Sequence, residues 1–256
     1  SIGAAMRRVG FDPARIPEAR RADIAAFVEL HIEQGALLEE AGQTVGIVRT
    51  ITGQKRTFVT VRGRADHAGT TPMDRRRDAL LGAAEMALAI EQLTLNVGRP
   101  AVATVGSVSL LPGVSNVVAG EARFTVDVRH SDPADLAQLI VAVEHTCDGI
   151  AARRGLVIER EIAMLEAPQP LDDDLQRLLE RCADDLKLPW MPMISGAGHD
   201  SEVMARFIPT AMIFVPSHDG RSHSPAEFTP TDQMLPGVQL LAEALYRLAY
   251  VPTGKR

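Results

Sequence analysis

The chain has 256 residues, enough for one large domain or two smaller ones, and its pattern favours two. Its formal net charge is -6 at pH 7 and its 27 Lys and Arg are scattered, which argues against a nucleic-acid partner. No apolar run is long enough for a membrane span and no secretory signal is visible, so we expect a cytoplasmic protein without a membrane partner.

The first quarter of the chain predicts a short helix near residues 18–27 and then two strands. The first strand carries His31, and the second covers residues 45–52. These elements are typical of one end of an α/β domain.

The middle of the chain predicts six elements in the order β-α-β-β-α-β. Apolar residues three and four positions apart follow Asp78, and Asp132-Pro133 offers an N-cap and a first-turn proline. Alternating apolar residues mark the strands. This order predicts a ferredoxin-like unit, a four-stranded sheet with two helices on one face. The predicted ranges are strand 55–64, helix 78–93, strands 101–110 and 116–130, helix 133–153 and strand 156–165.

The last third returns to an α/β pattern. It predicts a helix over 171–188, a glycine-rich turn at 195–200, a fully buried strand at 210–216 and a closing helix over 231–250. The sequence therefore predicts an α/β domain built from residues 1–52 and 168–256, into which a ferredoxin-like βαββαβ domain, residues 53–167, is inserted.

Two histidines stand where α/β sheets present functional groups. His31 and Glu33 lie in an apolar strand, where burial costs free energy unless a metal or hydrogen bonds hold them. His223 follows the buried strand in a loop. Imidazole is a common zinc ligand, although each histidine could instead be a hydrogen-bonded structural residue. A serine hydrolase is not indicated, because no Gly-x-Ser-x-Gly turn occurs.

Five segments, in chain order, resemble the hydantoinase/carbamoylase branch of the M20 metallopeptidase-like amidohydrolases, which includes N-carbamoyl-L-amino acid hydrolase, allantoate amidohydrolase and bacterial β-ureidopropionase. The resemblance implies an M20-type α/β catalytic domain that binds two divalent ions (Zn, Mn, Co or Ni), with the ferredoxin-like insertion as a lid that forms a homodimer. The segments are 29–35 (ELHIEQG), 65–73 (ADHAGTTPM), 77–79 (RDA), 195–200 (SGAGHD) and 216–227 (PSHDGRSHSPAE).

The resemblance also implies roles for residues of the α/β domain. It makes His31 and His223 ligands, one for each metal of the pair, and places Gln34 against the substrate. The turn Gly196-Ala197-Gly198-His199-Asp200 resembles the substrate-side loop of the family, in which Gly196, Ala197 and Gly198 would touch the substrate, since glycine lets the backbone approach a ligand closely. His199 and Asp200 could instead only cap the following helix.

In the lid, the resemblance implies one catalytic residue and two substrate-binding residues. His67 resembles a histidine that reaches the partner subunit's site, touches the substrate and stabilises the developing oxyanion, whereas its glycine and proline neighbours alone favour a capped turn. Asn116 and Arg129 resemble residues that bind the substrate carboxylate. Taken alone, Arg129 would be a solvated charge at a strand end.

The implied reaction is attack of a metal-activated water on a ureido carbonyl, with loss of ammonia and carbon dioxide and with a glutamate as general base. The His-x-Asp and Glu-Glu motifs of the family do not occur in residues 1–20, so we expect the C-terminal portion of a longer enzyme. Two alternatives stay open. One is an M20 aminoacylase or dipeptidase, and the other is a catalytically inactive dimerisation or ligand-binding module.

Overall fold

The computed structural model describes residues 1–250, which form two β-sheets with helices packed on them. Three 3₁₀ turns, Pro13–Ala19, Met73–Arg75 and His218–Gly220, join the longer elements. The helices and strands are α1 Ile2–Arg8, β1 Phe27–Ile32, α2 Leu37–Ala41, β2 Val45–Ile51, β3 Gly53–Arg62, α3 Ala79–Val97, β4 Val102–Leu111, β5 Glu121–His130, α4 Pro133–Arg154, β6 Val157–Glu166, β7 Gln169–Pro170, α5 Asp173–Asp185, β8 Trp190–Ser195, α6 Asp200–Met204, β9 Thr210–Val215 and α7 Thr231–Tyr250.

The first sheet combines strands from both ends of the chain. β9 pairs in parallel with β1 and antiparallel with β2, while β8 lies parallel to β2 on the other side. Every residue of β9 is buried, because α5 and α7 cover one face and a second apolar cluster around Phe214 covers the other. The prediction of a fully buried strand here is confirmed.

The second sheet is antiparallel, with the strand order β4-β5-β3-β6 that a ferredoxin-like unit requires. Its apolar face packs on α3 and α4, and the alternation of β5 places Val126 and Val128 there. Asp127 and Arg129 lie on the open face instead. The α/β class and the predicted β-α-β-β-α-β order are confirmed, while the domain boundaries at 52/53 and 167/168 stay a prediction.

Both helices of the second sheet begin after an aspartate N-cap, and the sequence predicts the one at Asp132. Asp78 accepts hydrogen bonds from the backbone N–H of Leu80 and Leu81, and Asp132 does the same for α4, whose first residue is Pro133. At its other end α4 stops at Gly155, which adopts φ 62°. Local sequence therefore fixes the ends of α4.

Two predictions about elements are wrong, and one strand is missing from the prediction. The predicted helix at 18–27 is absent: only its first two residues are helical, as the end of a 3₁₀ segment over Pro13–Ala19 that buries no side chain, and residues 20–26 are irregular. β8 was not predicted, since Pro192 interrupts its pattern; an edge strand tolerates that proline. The predicted strand at 116–130 begins only at Glu121, because the preceding loop bonds the 64–79 loop instead of a neighbouring strand.

Helix α3 has an exposed apolar stripe. Leu81, Leu88 and Leu95, seven residues apart, are 43%, 67% and 68% exposed, while Met86 and Ile90 on the other side are buried. By length and composition α3 is the one helix within residues 1–250 that could span a bilayer, a test that core helices of soluble proteins also pass. A cytoplasmic location without a membrane partner stays a prediction.

Candidate metal and substrate site

A cleft of about 1250 Å³ lies between the two sheets. Its walls come from the turn after β1, the ends of β2 and β8, the open face of the second sheet and the loop after β9. Five predicted site residues line it, whereas His31, His67, Asn116 and Gly198 do not. The five are Gln34, Arg129, Gly196, Ala197 and His223.

His31 presents one ring nitrogen to a half-buried cluster of metal-ligating side chains. Alternation along β1 puts Leu30 and Ile32 into the core under α5 and α7, so Glu29 and His31 lie on the opposite face. His31 Nδ1 lies 2.8 Å from the carbonyl oxygen of Ile32, which keeps the proton on Nδ1 and leaves the Nε2 lone pair free. This is the form of imidazole that binds a divalent cation.

His199 completes this cluster, although the sequence places it only in the substrate-side turn or as a helix cap and not among the metal ligands. Its ring centroid is 4.6 Å from that of His31, and one ligand atom from each of Glu29, His31 and His199 lies within 4.8 Å of the others. His199 stands at the N-cap position of α6, but its side chain makes no capping hydrogen bond. Two imidazoles and one carboxylate are a donor set that fits zinc or a similar ion.

The surroundings of His199 keep its ring neutral. Burial, and secondarily the charge of His31, lower the pKa of His199 to about 4. Ser195 Oγ donates its hydrogen to the carbonyl oxygen of Ala197 (2.9 Å) and therefore accepts one from His199 Nε2 (2.8 Å). The lone pair of His199 consequently sits on Nδ1.

Glu29 ties β1 to α6. Its Oε2 accepts hydrogen bonds from both the backbone N–H and the hydroxyl of Ser201, at 2.8 and 2.6 Å. Ser201 is fully buried, so this contact fixes the start of α6, and with it His199, relative to His31.

Two residues of the predicted site adopt left-handed backbone conformations, Gln34 with φ 60° and His223 with φ 54°. Hydrogen bonds hold both. Gln34 donates from its backbone N–H to Ser217 Oγ (3.0 Å) and from Nε2 to Ser222 Oγ (3.1 Å). Glu227 accepts from Ser222 Oγ (2.6 Å) and from the backbone N–H of His223 (3.0 Å).

These contacts bring the segments of His31 and His223 together. Gly220, with φ 63°, packs so closely on the turn after β1 that a Cβ would lie 2.7 Å from the backbone nitrogen of Ala36. Hydrogen bonds from Ser222 and from the His223 backbone, followed by the charges of His223 and His31, lower the pKa of Glu227. Gly220 and the hydrogen bonds through Ser222 thus hold the loop of His223 against the turn that follows His31, while metal coordination by the two histidines stays a prediction.

Arg129 joins the second sheet to the glycine-rich turn. It donates from Nε and Nη2 to the two oxygens of Asp127 (2.8 and 3.1 Å) and from Nη1 to the carbonyl oxygen of Gly196 (2.7 Å). The alternative of a freely solvated charge is wrong, because three hydrogen bonds fix this guanidinium at the wall of the cleft.

His67 and Asn116 lie together, far from Arg129. The backbone N–H of Ala68 donates to the carbonyl oxygen of Asn116 (2.9 Å), at the end of the sheet where β5 begins. From Glu121 to Arg129 the strand spans about 26 Å at ~3.3 Å per residue. Asn116 and Arg129 of one chain are therefore not neighbours.

The turn around His67 determines which nitrogen carries its proton. The backbone N–H groups of Gly69 and Thr70 donate to His67 Nδ1, at 3.0 and 3.2 Å. The neutral ring of this exposed residue must therefore carry its hydrogen on Nε2. His67 can thus accept the hydrogen bonds of its turn through Nδ1 and still donate its Nε2–H to an oxyanion.

A carboxyl pair next to the glycine-rich turn, formed by buried Glu202 and half-buried Glu166, makes stability depend on pH. Burial, followed by a hydrogen bond with Glu166 and its charge, raises the pKa of Glu202 from 4.5 to about 7, against the opposing effect of Arg206. The native state thus holds an extra proton, and the resulting stabilisation is complete below pH 4.5 and lost as pH rises through 7.

Glu202→Gln keeps the hydrogen bond without the charge. We expect it to stabilise the chain by about 1–3 kcal/mol at pH 8, and to change stability little at pH 5. Urea unfolding at both pH values measures this difference. Glu161→Gln, at an exposed position of β6, is the control. An equal change in the free energy of unfolding at pH 5 and at pH 8 would contradict the prediction.

Comparisons with known proteins agree with this fold. Residues 5–247 match the model of peptidase family M20/M25/M40. The chain is 41% identical over 246 residues to an allantoate amidohydrolase of Escherichia coli and 38% identical over 253 residues to an N-carbamoyl-L-amino acid amidohydrolase of Geobacillus stearothermophilus, covering 96% and 97% of this chain. A crystal structure of a hydantoinase/carbamoylase family amidase from Burkholderia multivorans superposes with a TM-score of 0.86, at 36% identity, over 96% of this chain.

This chain spans only part of each similar protein. It covers 60% and 61% of the two curated relatives and 59% of the crystallised amidase. Within that span the similarity covers both sheets and every segment that lines the cleft. The chain belongs to peptidase family M20/M25/M40.

Proposed function

We propose that the protein is a metal-dependent amidohydrolase that cleaves a ureido C–N bond of N-carbamoyl-L-amino acids or allantoate. The observation that carries the proposal is the cleft, which collects Gln34, Arg129 and His223 beside the cluster of His31 and His199. Its two curated relatives are named for these two substrates, which supports the same substrate class here.

Two divalent ions (Zn, Mn, Co or Ni) would supply an activated water and polarise the ureido carbonyl. In the proposed site His31 Nε2 and His223 each hold one ion, and the hydrogen bond from His31 Nδ1 to the carbonyl of Ile32 keeps its ring oriented. Glu227 fixes the loop of His223 through two hydrogen bonds.

The organic part of the substrate is bound by the walls of the cleft. Arg129 binds the substrate carboxylate through the N–H groups that do not donate to Asp127. The hydrogen bond from Nη1 to the carbonyl oxygen of Gly196 is then replaced by one to the substrate. Gln34 presents its side-chain amide to the ureido group from the opposite wall, and the backbone of Gly196 and Ala197 lies alongside the substrate.

A second copy of the chain would complete the site. His67 does not line the cleft of its own chain, and the length of β5 separates it and Asn116 from Arg129. A homodimer through the second sheet would bring the Nε2–H of His67, together with Asn116, to the partner's cleft. The free edge of β4 and the adjacent apolar stripe of α3 support this arrangement.

The test is an assay of the whole protein that carries this sequence, loaded with each of the four metals. We expect ammonia release from N-carbamoyl-L-amino acids or allantoate. Hydrolysis of N-acyl amino acids or dipeptides alone would favour an aminoacylase or dipeptidase. Metal binding without turnover of any of these compounds would favour an inactive binding module.

A further inference from the structure

The wall of the cleft formed by the second sheet carries more positive charge than one substrate carboxylate can neutralise. Arg56, Arg99 and Arg129 line it, and Asp127 is the acidic residue among them. Arg99 is exposed and makes no ion pair within residues 1–250. If Arg129 takes the substrate carboxylate, a net positive charge still faces the rest of the substrate.

The other charged residues of the cleft do not cancel this surplus. Arg49 is neutralised elsewhere, by an ion pair with Glu180 (2.5 Å). Glu33 lies on the opposite wall, where its two oxygens accept hydrogen bonds from the backbone N–H of Leu37 and Leu38 at the start of α2. The surplus therefore belongs to the wall of the second sheet.

Arg56 is held next to Arg129 by a shared partner. It lies opposite Asp127 in the β3–β5 register and donates from Nε (3.1 Å) and Nη2 (2.9 Å) to Asp127 Oδ2. Arg129 Nη2 donates to the same oxygen at 3.1 Å, so the two Nη2 atoms lie within about 6 Å of each other. The side chain of Arg56 is 43% exposed, and its Nη1 has no hydrogen bond in the described part of the chain.

We propose that Arg56 is a specificity-determining residue that makes this cleft select N-carbamoyl amino acids with a second carboxylate in the side chain. The proposal rests on the proposed function and adds the substrate class. Arg129 binds the first carboxylate and Arg56 Nη1 the second, and Asp127 sets the short spacing that a small dicarboxylate such as N-carbamoyl-L-aspartate can bridge.

The test compares N-carbamoyl-L-aspartate with N-carbamoyl-L-asparagine, which has nearly the same shape without the second charge. We expect the metal-loaded whole protein to prefer the aspartate compound at least about tenfold in kcat/KM and in calorimetric affinity. Arg56→Gln should lower that ratio about tenfold, and Arg56→Lys should retain part of it. Thermal unfolding shows that each variant is folded.

Arg62→Gln is the matched control. Arg62 lies on the same face of β3, is ion-paired with Glu121 and Glu159, and does not line the cleft, so its variant should keep the wild-type ratio. An aspartate preference that Arg56→Gln leaves intact, or no preference in the wild type, would overturn the proposal while the amidohydrolase function stands. Binding with the expected ratios but without hydrolysis would instead overturn only the proposed function.

Discussion

Replacing His31 by asparagine should weaken divalent-metal binding by more than about 100-fold, because changing even the residues that orient a metal ligand costs 10- to 100-fold. The asparagine amide is shorter than the ring and cannot offer a lone pair at the position of Nε2. Activity of the whole protein should fall at least as far. Calorimetric titration of the metal-free protein with Zn²⁺ and Mn²⁺ measures the change.

His145→Asn provides the matched control for this experiment. His145 lies exposed on α4, on the helical side of the second sheet, and does not line the cleft. We expect its variant to bind metal like the wild type. If His31→Asn keeps the wild-type affinity and stoichiometry, the imidazole of His31 is not a ligand and the metal site must be sought elsewhere.

The second large effect is expected at Arg129. Arg129→Gln should lower kcat/KM by about 100-fold, mainly through KM, since a charged two-donor contact with the substrate carboxylate is lost. Arg129→Lys should lose less of kcat/KM than Arg129→Gln but should not reach the wild-type value, because an ammonium group is a single point charge. The fold should tolerate both changes, since Asp127 keeps its ion pair with Arg56.

Steady-state kinetics with a range of substrate concentrations separates KM from kcat here. Arg123→Gln is the control, on the same face of β5 and ion-paired with Glu121 near the far end of the strand. An unchanged KM in Arg129→Gln, with Arg123→Gln also unchanged, would show that another group binds the carboxylate.

Local signals explain how much of the fold was predictable. The second sheet follows from patterns that lie within short segments: helical apolar spacing after Asp78, a cap at Asp132, a stop at Gly155, and strict alternation in β5. β8 has no such signal, because Pro192 disrupts it and only pairing with β2 makes it a strand.

The site was predictable in part, for a related reason. Gln34 and His223 each follow a strand with a clear apolar pattern, so their positions at strand ends could be inferred. His199 follows β8 instead, and it reaches His31 only because the turn after β8 passes over the sheet to Phe214, which its ring also contacts. No periodicity in the sequence encodes that path.

The separation of Asn116 from Arg129 was not predictable from motif order. The two residues are thirteen positions apart, yet the loop before β5 and the whole length of the strand lie between them. A motif indicates which residues share a function, but the length of the strand between them determines whether they can lie close together within one chain.

The backbone conformations of Gln34 and His223 place fold stability and ligand binding in opposition. Glycine adopts φ near 60° without the steric cost that these side chains incur, so a search for heat-resistant variants would favour glycine at both positions. Such variants would lack the amide that crosses to Ser222 and the imidazole beside it. Thermostabilising substitutions in this protein are therefore best drawn from surfaces away from these two turns.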